Sequence, residues 1–319
     1  MTEAHQTAIH TSAADWIGID WGTTQRRAWR FAAGQLARRV EDAQGLTACA
    51  PRFAASLDEL LRALEVAHGE PIIVMSGMVG SASGWQEVPY LDAATSLQEL
   101  PAKLERVSRP DAPAHAWIVP GVRWRGAGEI VDVMRGEETQ LFGALRLLGT
   151  RSDGWYLLPG THSKWVQLRA GRVAWMRTYL SGELFALLRD RGTLSTIMRP
   201  GAARDTNGAQ QDEAFAKGVV AAADAAVSHA LFAARARVVT GGLDPALAAA
   251  FVSGALLGAE WHDMRKKLEV ATTVRLIGEA HLCAHHARCA AQLGFSTEAL
   301  DVEAVQGAAW RHLREEGPR

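Results

Sequence analysis

An approximate duplication in the order of strands and turns restricts the possible folds of this chain more than any other feature of the sequence. Both halves contain a short apolar strand that stops at a Gly-Thr turn, a second strand, a small turn and a third strand. The two Gly-Thr turns begin at Gly22 and Gly160. A repeated order of elements is typical of two domains of related shape, although the copies share too little identity to establish a repeat on their own. The predicted strands are 16–21, 27–31 and 35–40 in the first half, and 155–158, 164–168 and 173–177 in the second.

The remaining strands alternate with helices, which predicts an α/β fold. At about 150 residues per domain, the 319 residues suit two domains. We expect a disordered tail over 1–15, a first domain over 16–150 and a second over 151–319, with a polar, glycine-bearing boundary. Helices are predicted over 57–67, 97–107, 137–148, 182–190, 212–234, 246–267, 279–293 and 302–315, and further strands over 71–75, 115–119 and 273–277.

Charge and cysteine content exclude several classes of protein. The formal net charge is -1, whereas a nucleic-acid binder usually carries a basic excess, so no nucleic-acid partner is expected. The three cysteines are an odd number and lie far apart, which argues against a disulfide scaffold and favours a reducing cytoplasm. No run of about 18 apolar residues occurs, so no membrane-spanning helix is expected. An exposed apolar helix face would support a homodimer.

The first Gly-Thr turn has the residue types of a phosphate and magnesium site. Asp20 lies near the end of the first strand, and Gly22, Thr23 and Thr24 follow that strand. The glycine lets the backbone approach a phosphate, successive N–H groups form an anion-binding nest, and the hydroxyls donate to phosphate oxygens. Asp20 would hold Mg²⁺, mostly through water. The alternative is an ordinary hairpin turn with a capping aspartate.

The second Gly-Thr turn repeats this pattern without the acid. Two such turns on opposing domains would clamp one nucleotide, whereas the alternative is that the hydroxyls only close a hairpin. The chain has no G-x-x-x-x-G-K-S/T and no strand-borne G-x-G-x-x-G, so neither a P-loop nor a Rossmann site is indicated. The candidate residues of this turn are Gly160, Thr161, His162, Ser163 and Lys164.

Six segments together resemble the 2-dehydro-3-deoxygalactonokinase family. The resemblance covers nearly the whole chain after residue 15. It implies the fold of the actin, sugar-kinase and heat-shock-chaperone superfamily: two ribonuclease-H-like domains with ATP and Mg²⁺ in the cleft between them. The implied reaction is ATP-dependent phosphorylation of the C6 hydroxyl of 2-dehydro-3-deoxy-D-galactonate, a step in D-galactonate breakdown. The matching segments are 19–24, 76–81, 133–141, 159–166, 181–184 and 253–260.

The resemblance also assigns nucleotide-binding roles. The first turn matches the phosphate-1 loop and the second matches the phosphate-2 loop. Pro159 stands where many relatives carry an aspartate, which leaves Asp20 as the chief metal carboxylate. The adenosine loop is expected where a late strand meets a glycine before a helix. Gly278 fits this pattern best, and Gly241 and Gly242 are competitors.

Two adjacent acids are candidates for the catalytic base. Glu137 and Glu138 lie where the chain enters a helix between the two halves, and related sugar kinases place an acidic base in that neighbourhood. A carboxylate beside the acceptor hydroxyl helps as that hydroxyl loses its proton. Glu138 is the slightly preferred candidate. The alternative is that both acids only complement the dipole of the helix.

A sugar-acid substrate needs donors for its carboxylate, either backbone N–H groups or an arginine fork. The glycine-rich loop after the strand over 71–75 offers the former and Arg135 the latter. Two other functions stay open: a kinase for a different sugar acid, and a non-catalytic regulator gated by ATP. A metal held by the His- and Cys-rich helix over 279–293 is not favoured. The substrate candidates are Ser76, Gly77, Met78, Trp85 as a wall, and Arg135.

Overall fold

A computed structural model describes residues 15–66, 70–198, 208–223, 226–269 and 271–318. The chain forms two compact units. The first contains the described residues up to Gly149 together with those from Gln306 onward, and the second contains residues 150–305. The predicted tail lies outside the described residues except for Asp15, whose carboxylate pairs with the Arg30 guanidinium at 2.9 Å.

The first unit is built on a six-stranded mixed sheet in the order β3-β2-β1-β4-β7-β6. Strands β1 to β3 are antiparallel, and β1, β4 and β7 run parallel. The sequence analysis did not predict a small second sheet with the strand order β5-β8-β9. The strands are β1 (Trp16–Trp21), β2 (Arg26–Ala32), β3 (Gln35–Asp42), β4 (Ile72–Gly77), β5 (Leu91–Asp92), β6 (Glu105–Arg106), β7 (Ala116–Ile118), β8 (Val122–Arg125) and β9 (Val131–Met134).

Helices cover both faces of this sheet. Helix α1 (Leu46–Cys49) precedes α2 (Phe53–Ala63), whose Leu57 and Leu60 pack with Ile17 and Ile19 of β1. Helix α3 (Glu137–Leu148) has the predicted bounds. The expected helix over 97–107 is wrong: Leu97–Lys103 is a 3₁₀ helix that contains Pro101, which lacks the N–H that an α-helix needs.

Most of the last helix lies in the first unit, which contains its residues from Gln306 onward, whereas the sequence analysis placed the whole helix in the second domain. Its Trp310 and Leu313 pack with Trp16 of β1 and Phe31 of β2. Gly18 makes room for the indole, because a Cβ there would lie 2.6 Å from Trp310. This helix is labelled α10 (Val302–Glu316) below.

The second unit repeats the sheet order of the first. Its five strands lie in the order β12-β11-β10-β13-β14, with the first three antiparallel and the last three parallel. The duplication seen in the sequence is therefore present in the topology, and the α/β fold with ribonuclease-H-like units is confirmed. The strands are β10 (Gly154–Leu158), β11 (Ser163–Arg169), β12 (Arg172–Tyr179), β13 (Thr273–Leu276) and β14 (Ser296–Ala299), the last of which was not predicted.

Six α-helices lie in the described part of the second unit. The helix predicted over 212–234 is wrong, because two helices replace it. Alanine favours helix at every position, so the alanine-rich segment gives no signal for the break. The helices are α4 (Ser181–Asp190), α5 (Gly192–Met198), α6 (Gly208–Ala221), α7 (Val227–Val239), α8 (Ala248–Met264) and α9 (Ala280–Gln292). No helix in the described part of the chain is long and apolar enough to cross a membrane.

Candidate active site

Strands β1 and β4 end side by side in the first unit. Their parallel register sets Asp20 beside Ser76 and Trp21 beside Gly77. Gly77 has φ 92°, and a Cβ there would lie 2.7 Å from the Trp21 carbonyl oxygen and 3.5 Å from Asp20 Oδ1. A Cβ on Gly136, which precedes α3, would lie 3.4 Å from Gly77 Cα. The end of β1, the glycine-rich loop and the start of α3 therefore adjoin.

Backbone hydrogen bonds from the start of α1 hold the turn after Asp20 in place. The backbone N–H groups of Leu46 and Thr47 donate to the carbonyl oxygens of Gly22 and Thr23, at 2.9 and 3.1 Å. The side chains of Thr23 and Thr24 are exposed. A fixed backbone with outward hydroxyls is the arrangement that a phosphate-binding turn requires.

The carboxylate of Asp20 is poorly compensated. Its nearest cation, Arg27, lies 3.9 Å away and bonds Glu41 more closely, at 3.0 Å. Burial raises the pKa of Asp20 to about 6 against the opposing charge of Arg27, and the charge of Glu137 contributes to the rise. Two carboxylates that repel one another are relieved by a bound cation.

The two acids at the start of α3 lie in different surroundings. Glu138 is fully buried, and its carboxylate accepts hydrogen bonds from the Gly136 N–H at 2.7 Å and from the Ser76 hydroxyl at 3.3 Å. Burial, together with the charge of Glu137, raises the pKa of Glu138 to about 8. Glu137 is half-exposed and accepts from the Arg135 N–H at 3.0 Å. Glu138 locks α3 to β4, whereas Glu137 keeps an accessible face.

Replacing Glu138 by glutamine is expected to flatten the pH dependence of thermal stability. Folding raises this pKa from 4.5 to about 8. The folded chain therefore holds the proton more tightly than the unfolded chain, and this stability is present in full below pH 4.5 and lost as the pH rises through 8. Calorimetry across this range should show the wild-type Tm falling more steeply than that of the variant. Parallel curves of Tm against pH for the wild-type protein and the variant would contradict the raised pKa of Glu138.

The other substrate candidates lie along the glycine-rich loop. Ser76 is buried, Met78 begins a 3₁₀ turn, and Trp85 is only 4% exposed and stacks on Phe53 in the core. The structure therefore places Trp85 behind the loop rather than on its surface. Arg135 is also buried.

Arg135 braces this loop from the side of β9. Its Nη2 donates to the Val88 carbonyl oxygen at 2.7 Å, and its guanidinium lies 4.2 Å from the centre of the Tyr90 ring. Its Nε and Nη1 have no hydrogen-bond partner in the described part of the chain. A guanidinium held in this way fixes where the loop backbone lies.

The second unit brings the second turn and one late glycine together. Strands β10 and β13 are parallel neighbours, with Leu157 beside Leu276. A Cβ on Gly278 would lie 3.0 Å from the Pro159 ring. Gly278 follows β13 and precedes α9, as the prediction for an adenosine loop requires, whereas Gly241 and Gly242 follow helix α7.

The start of α4 packs directly on the second turn. A Cβ on Gly182 would lie 2.3 Å from the Gly160 carbonyl oxygen, and the Glu183 N–H donates to the Thr161 carbonyl oxygen at 2.8 Å. The Glu183 carboxylate also lies 2.7 Å from Nε2 of His162. The turn is thereby fixed to a helix that the sequence analysis did not connect with it.

Of the remaining residues of this turn, two face inward. Ser163 is 1% exposed and Lys164 is 7% exposed. The Lys164 ammonium donates to the Thr178 hydroxyl of β12 at 3.0 Å. Gly160, Thr161 and His162 form the accessible part of the turn.

A cavity of about 660 Å³ adjoins this turn. Helices α4, α6, α8 and α9 supply its walls. This volume is in the usual range for small-molecule sites, as is the mixture of apolar walls with a few polar groups. The sequence analysis did not predict these helix faces as part of a site. The lining includes Gly160, Thr161, Phe185, Ser253, His281 and Arg288.

Comparison with known proteins decides the family. The model of the 2-keto-3-deoxy-galactonokinase family matches residues 20–313. The chain belongs to this family. It is 33% identical over 296 residues to the 2-dehydro-3-deoxygalactonokinase of Escherichia coli (strain K12), a match that covers 92% of this chain and 94% of that protein. A protein of Rhizobium meliloti (strain 1021) that provisionally carries the same name is 32% identical over 297 residues, with the same coverage.

A solved structure supports the family assignment. A crystal structure from Sinorhizobium meliloti, provisionally named as the same kinase, superposes with a TM-score of 0.83 at 30% identity and covers 94% of this chain and 96% of that one. The family resemblance predicted from the sequence is therefore confirmed. Among the described residues, no group of three or more His, Cys, Asp or Glu side chains is placed to hold a metal.

Proposed function

We propose that this member of the family transfers the γ-phosphoryl group of ATP to the C6 hydroxyl of 2-dehydro-3-deoxy-D-galactonate, in the cytoplasm and as a step of D-galactonate catabolism. The proposal rests on one observation: Asp20, the loop from Ser76 and the two acids at the start of α3 adjoin at one edge of a sheet. Phosphoryl transfer depends on positioning and charge neutralisation more than on covalent chemistry, and this edge offers groups for both. The three cysteines are free, in keeping with a reducing compartment.

The nucleotide is assigned to the second unit. Gly160 and Thr161 would contact its phosphates, and the adjoining cavity would take the nucleoside, with Gly278 beside the turn. The loop backbone is fixed by α4, so its N–H groups are oriented before the ligand arrives. Gly22, Thr23 and Thr24 supply the same kind of turn in the first unit.

The residues at the end of β1 suit Mg²⁺. Magnesium is usually bound through one or two carboxylates, with the substrate phosphates and several waters as its other ligands. Asp20 is a carboxylate of this kind: it is partly buried, and this burial, together with the charge of Glu137, raises its pKa to about 6. We assign the ion to Asp20, where it would neutralise phosphate charge when bound.

Glu137 is favoured over Glu138 as the proton acceptor. A base must reach the acceptor hydroxyl, and only Glu137 of the pair has an exposed face. The substrate carboxylate is assigned to the backbone N–H groups that follow Ser76, at Gly77 and Met78, in a loop that Arg135 braces. Trp85 supports the same loop from the core.

A coupled ADP-release assay with a panel of 2-keto-3-deoxy sugar acids tests this function. We expect ATP turnover that requires the galactonate-derived acid and exceeds turnover with its stereoisomers. A higher kcat/KM for another acid would identify a kinase for a different substrate. ATP turnover that no sugar acid changes would identify a regulator instead.

A further inference from the structure

A buried carboxylate lies behind the second turn. Glu260 of α8 is 1% exposed. One of its oxygens accepts a hydrogen bond from Trp165 Nε1 at 2.6 Å, and the other accepts from the Ser181 hydroxyl at 2.7 Å. The Ser163 hydroxyl also bonds this carboxylate.

The three donors to Glu260 come from the two elements that support the turn. Ser163 is the first residue of β11 and follows the turn directly, and Trp165 lies two residues further on. Ser181 is the first residue of α4, and the next residue, Gly182, packs on the Gly160 carbonyl group. One carboxylate therefore ties the strand that leaves the turn to the helix that holds it.

These three hydrogen bonds are the main interactions that offset the cost of burying the Glu260 carboxylate. Nδ1 of His286 lies 4.0 Å from it, but that nitrogen accepts a hydrogen bond from Trp261 Nε1 at 3.2 Å. Burial lowers the pKa of His286 to about 3, so the imidazole is neutral and supplies no cation. Burial raises the pKa of Glu260 to about 7 although the three donors oppose the rise. Loss of the donors from β11 and α4 would raise it further and leave buried acceptor oxygens unsatisfied, which is costly.

We infer that Glu260 is a positioning residue for nucleotide binding, which it supports by fixing β11 and α4 around the second turn. Ser163 and Ser181 line the cavity beside the turn, whereas Glu260 is not among the lining residues. The carboxylate therefore acts on the ligand only through them. This inference rests on the proposed function, in which that cavity takes the nucleoside of ATP.

The Glu260→Gln variant tests the inference. It keeps the shape of the side chain but replaces one acceptor oxygen by a donor group, so the three donors are no longer all satisfied. We expect the KM for ATP and the Kd for ADP to rise about tenfold, the equivalent of about 1.4 kcal/mol, while the KM for the sugar acid changes less than twofold. Isothermal titration with ADP and steady-state kinetics measure these values.

The matched control is Met264→Ala, one turn further along α8. Met264 is equally buried in the core of the second unit, and within the described residues its side chain makes no polar contact that supports the turn. It should lower the Tm and leave the Kd for ADP unchanged. Equal weakening of ADP binding by Met264→Ala and Glu260→Gln would show a general loss of stability and overturn the inference.

A second variant keeps the test independent of whether Glu260→Gln folds. Ser181→Ala removes one donor and should weaken ADP binding about threefold, with an effect that is not additive with Glu260→Gln, since the two residues interact directly. Normal ADP binding by Ser181→Ala, or by Glu260→Gln, would overturn the positioning role alone. Failure of the wild-type protein to bind ADP would overturn the proposed function as well.

Discussion

Replacing Glu137 by glutamine is expected to lower kcat by about 10²- to 10⁴-fold, the usual contribution of a positioned general base. The amide keeps the size of the side chain and its hydrogen bond from the Arg135 N–H, but it cannot accept the proton of the acceptor hydroxyl. The KM values for ATP and for the sugar acid should change less than about threefold, because uniform binding is retained. Steady-state kinetics with both substrates measure this split.

Glu138→Gln is the matched control for this experiment. Glu138 is the neighbouring acid of the same helical turn but is enclosed by Gly136, Ser76 and Thr139. Its replacement should leave kcat within about tenfold of the wild-type value. Loss of turnover in Glu138→Gln alone would return the base to Glu138, and near-wild-type kcat in both variants would exclude a base in this helical turn.

Local signals predicted the elements that carry the site. The apolar run that ends at Asp20, and the turns at Gly22 and Gly160, identify strand ends from residue types alone. The start of α3 is also predicted by local signals, because Gly136 precedes two acids and an apolar stripe. Such features depend on near neighbours in the chain, so a single sequence contains them.

The arrangement of those elements depends on contacts that are distant in the chain. The pairing of Asp20 with Ser76 follows from the register of β1 on β4, which no local pattern fixes. Local signals also do not give the direction of a side chain: Trp85 and Arg135 were predicted to contact the substrate beside a glycine-rich loop, and both are buried. Helix α10 was assigned by position, whereas Trp310 packs on the first unit.

The resemblance in the segment 253–260 was recognised without a role for its residues. The structure supplies two roles. Glu260 bonds the elements around the second turn, and Gly254 and Gly258 let α8 approach α6 closely. A Cβ on Gly254 would lie 2.0 Å from the Phe215 carbonyl oxygen, and one on Gly258 would lie 2.8 Å from Val219 Cα. Small residues at helical spacing thus indicate close helix packing only once the partner helix is known.

Replacing Gly254 by alanine is therefore expected to destabilise the second unit by about 3 kcal/mol, a large value for overpacking. Alanine has the higher helix propensity, by about 1 kcal/mol, so the steric cost must exceed that gain before the Tm falls. The Cβ would meet backbone of α6, which cannot rotate away as a side chain can. Helices α6 and α8 would have to separate, and because both supply walls of the cavity, ADP binding should weaken as well.

Gly307→Ala provides the matched control with the opposite sign. Gly307 lies inside α10, and a Cβ there would meet no atom of the described residues within 4 Å. The same chemical change should therefore stabilise the chain by up to about 1 kcal/mol through helix propensity alone. Calorimetry of both variants compares the two effects directly. A Tm for Gly254→Ala at or above that of Gly307→Ala would show that α6 and α8 can separate at little cost, and would contradict close packing as the reason for glycine at position 254.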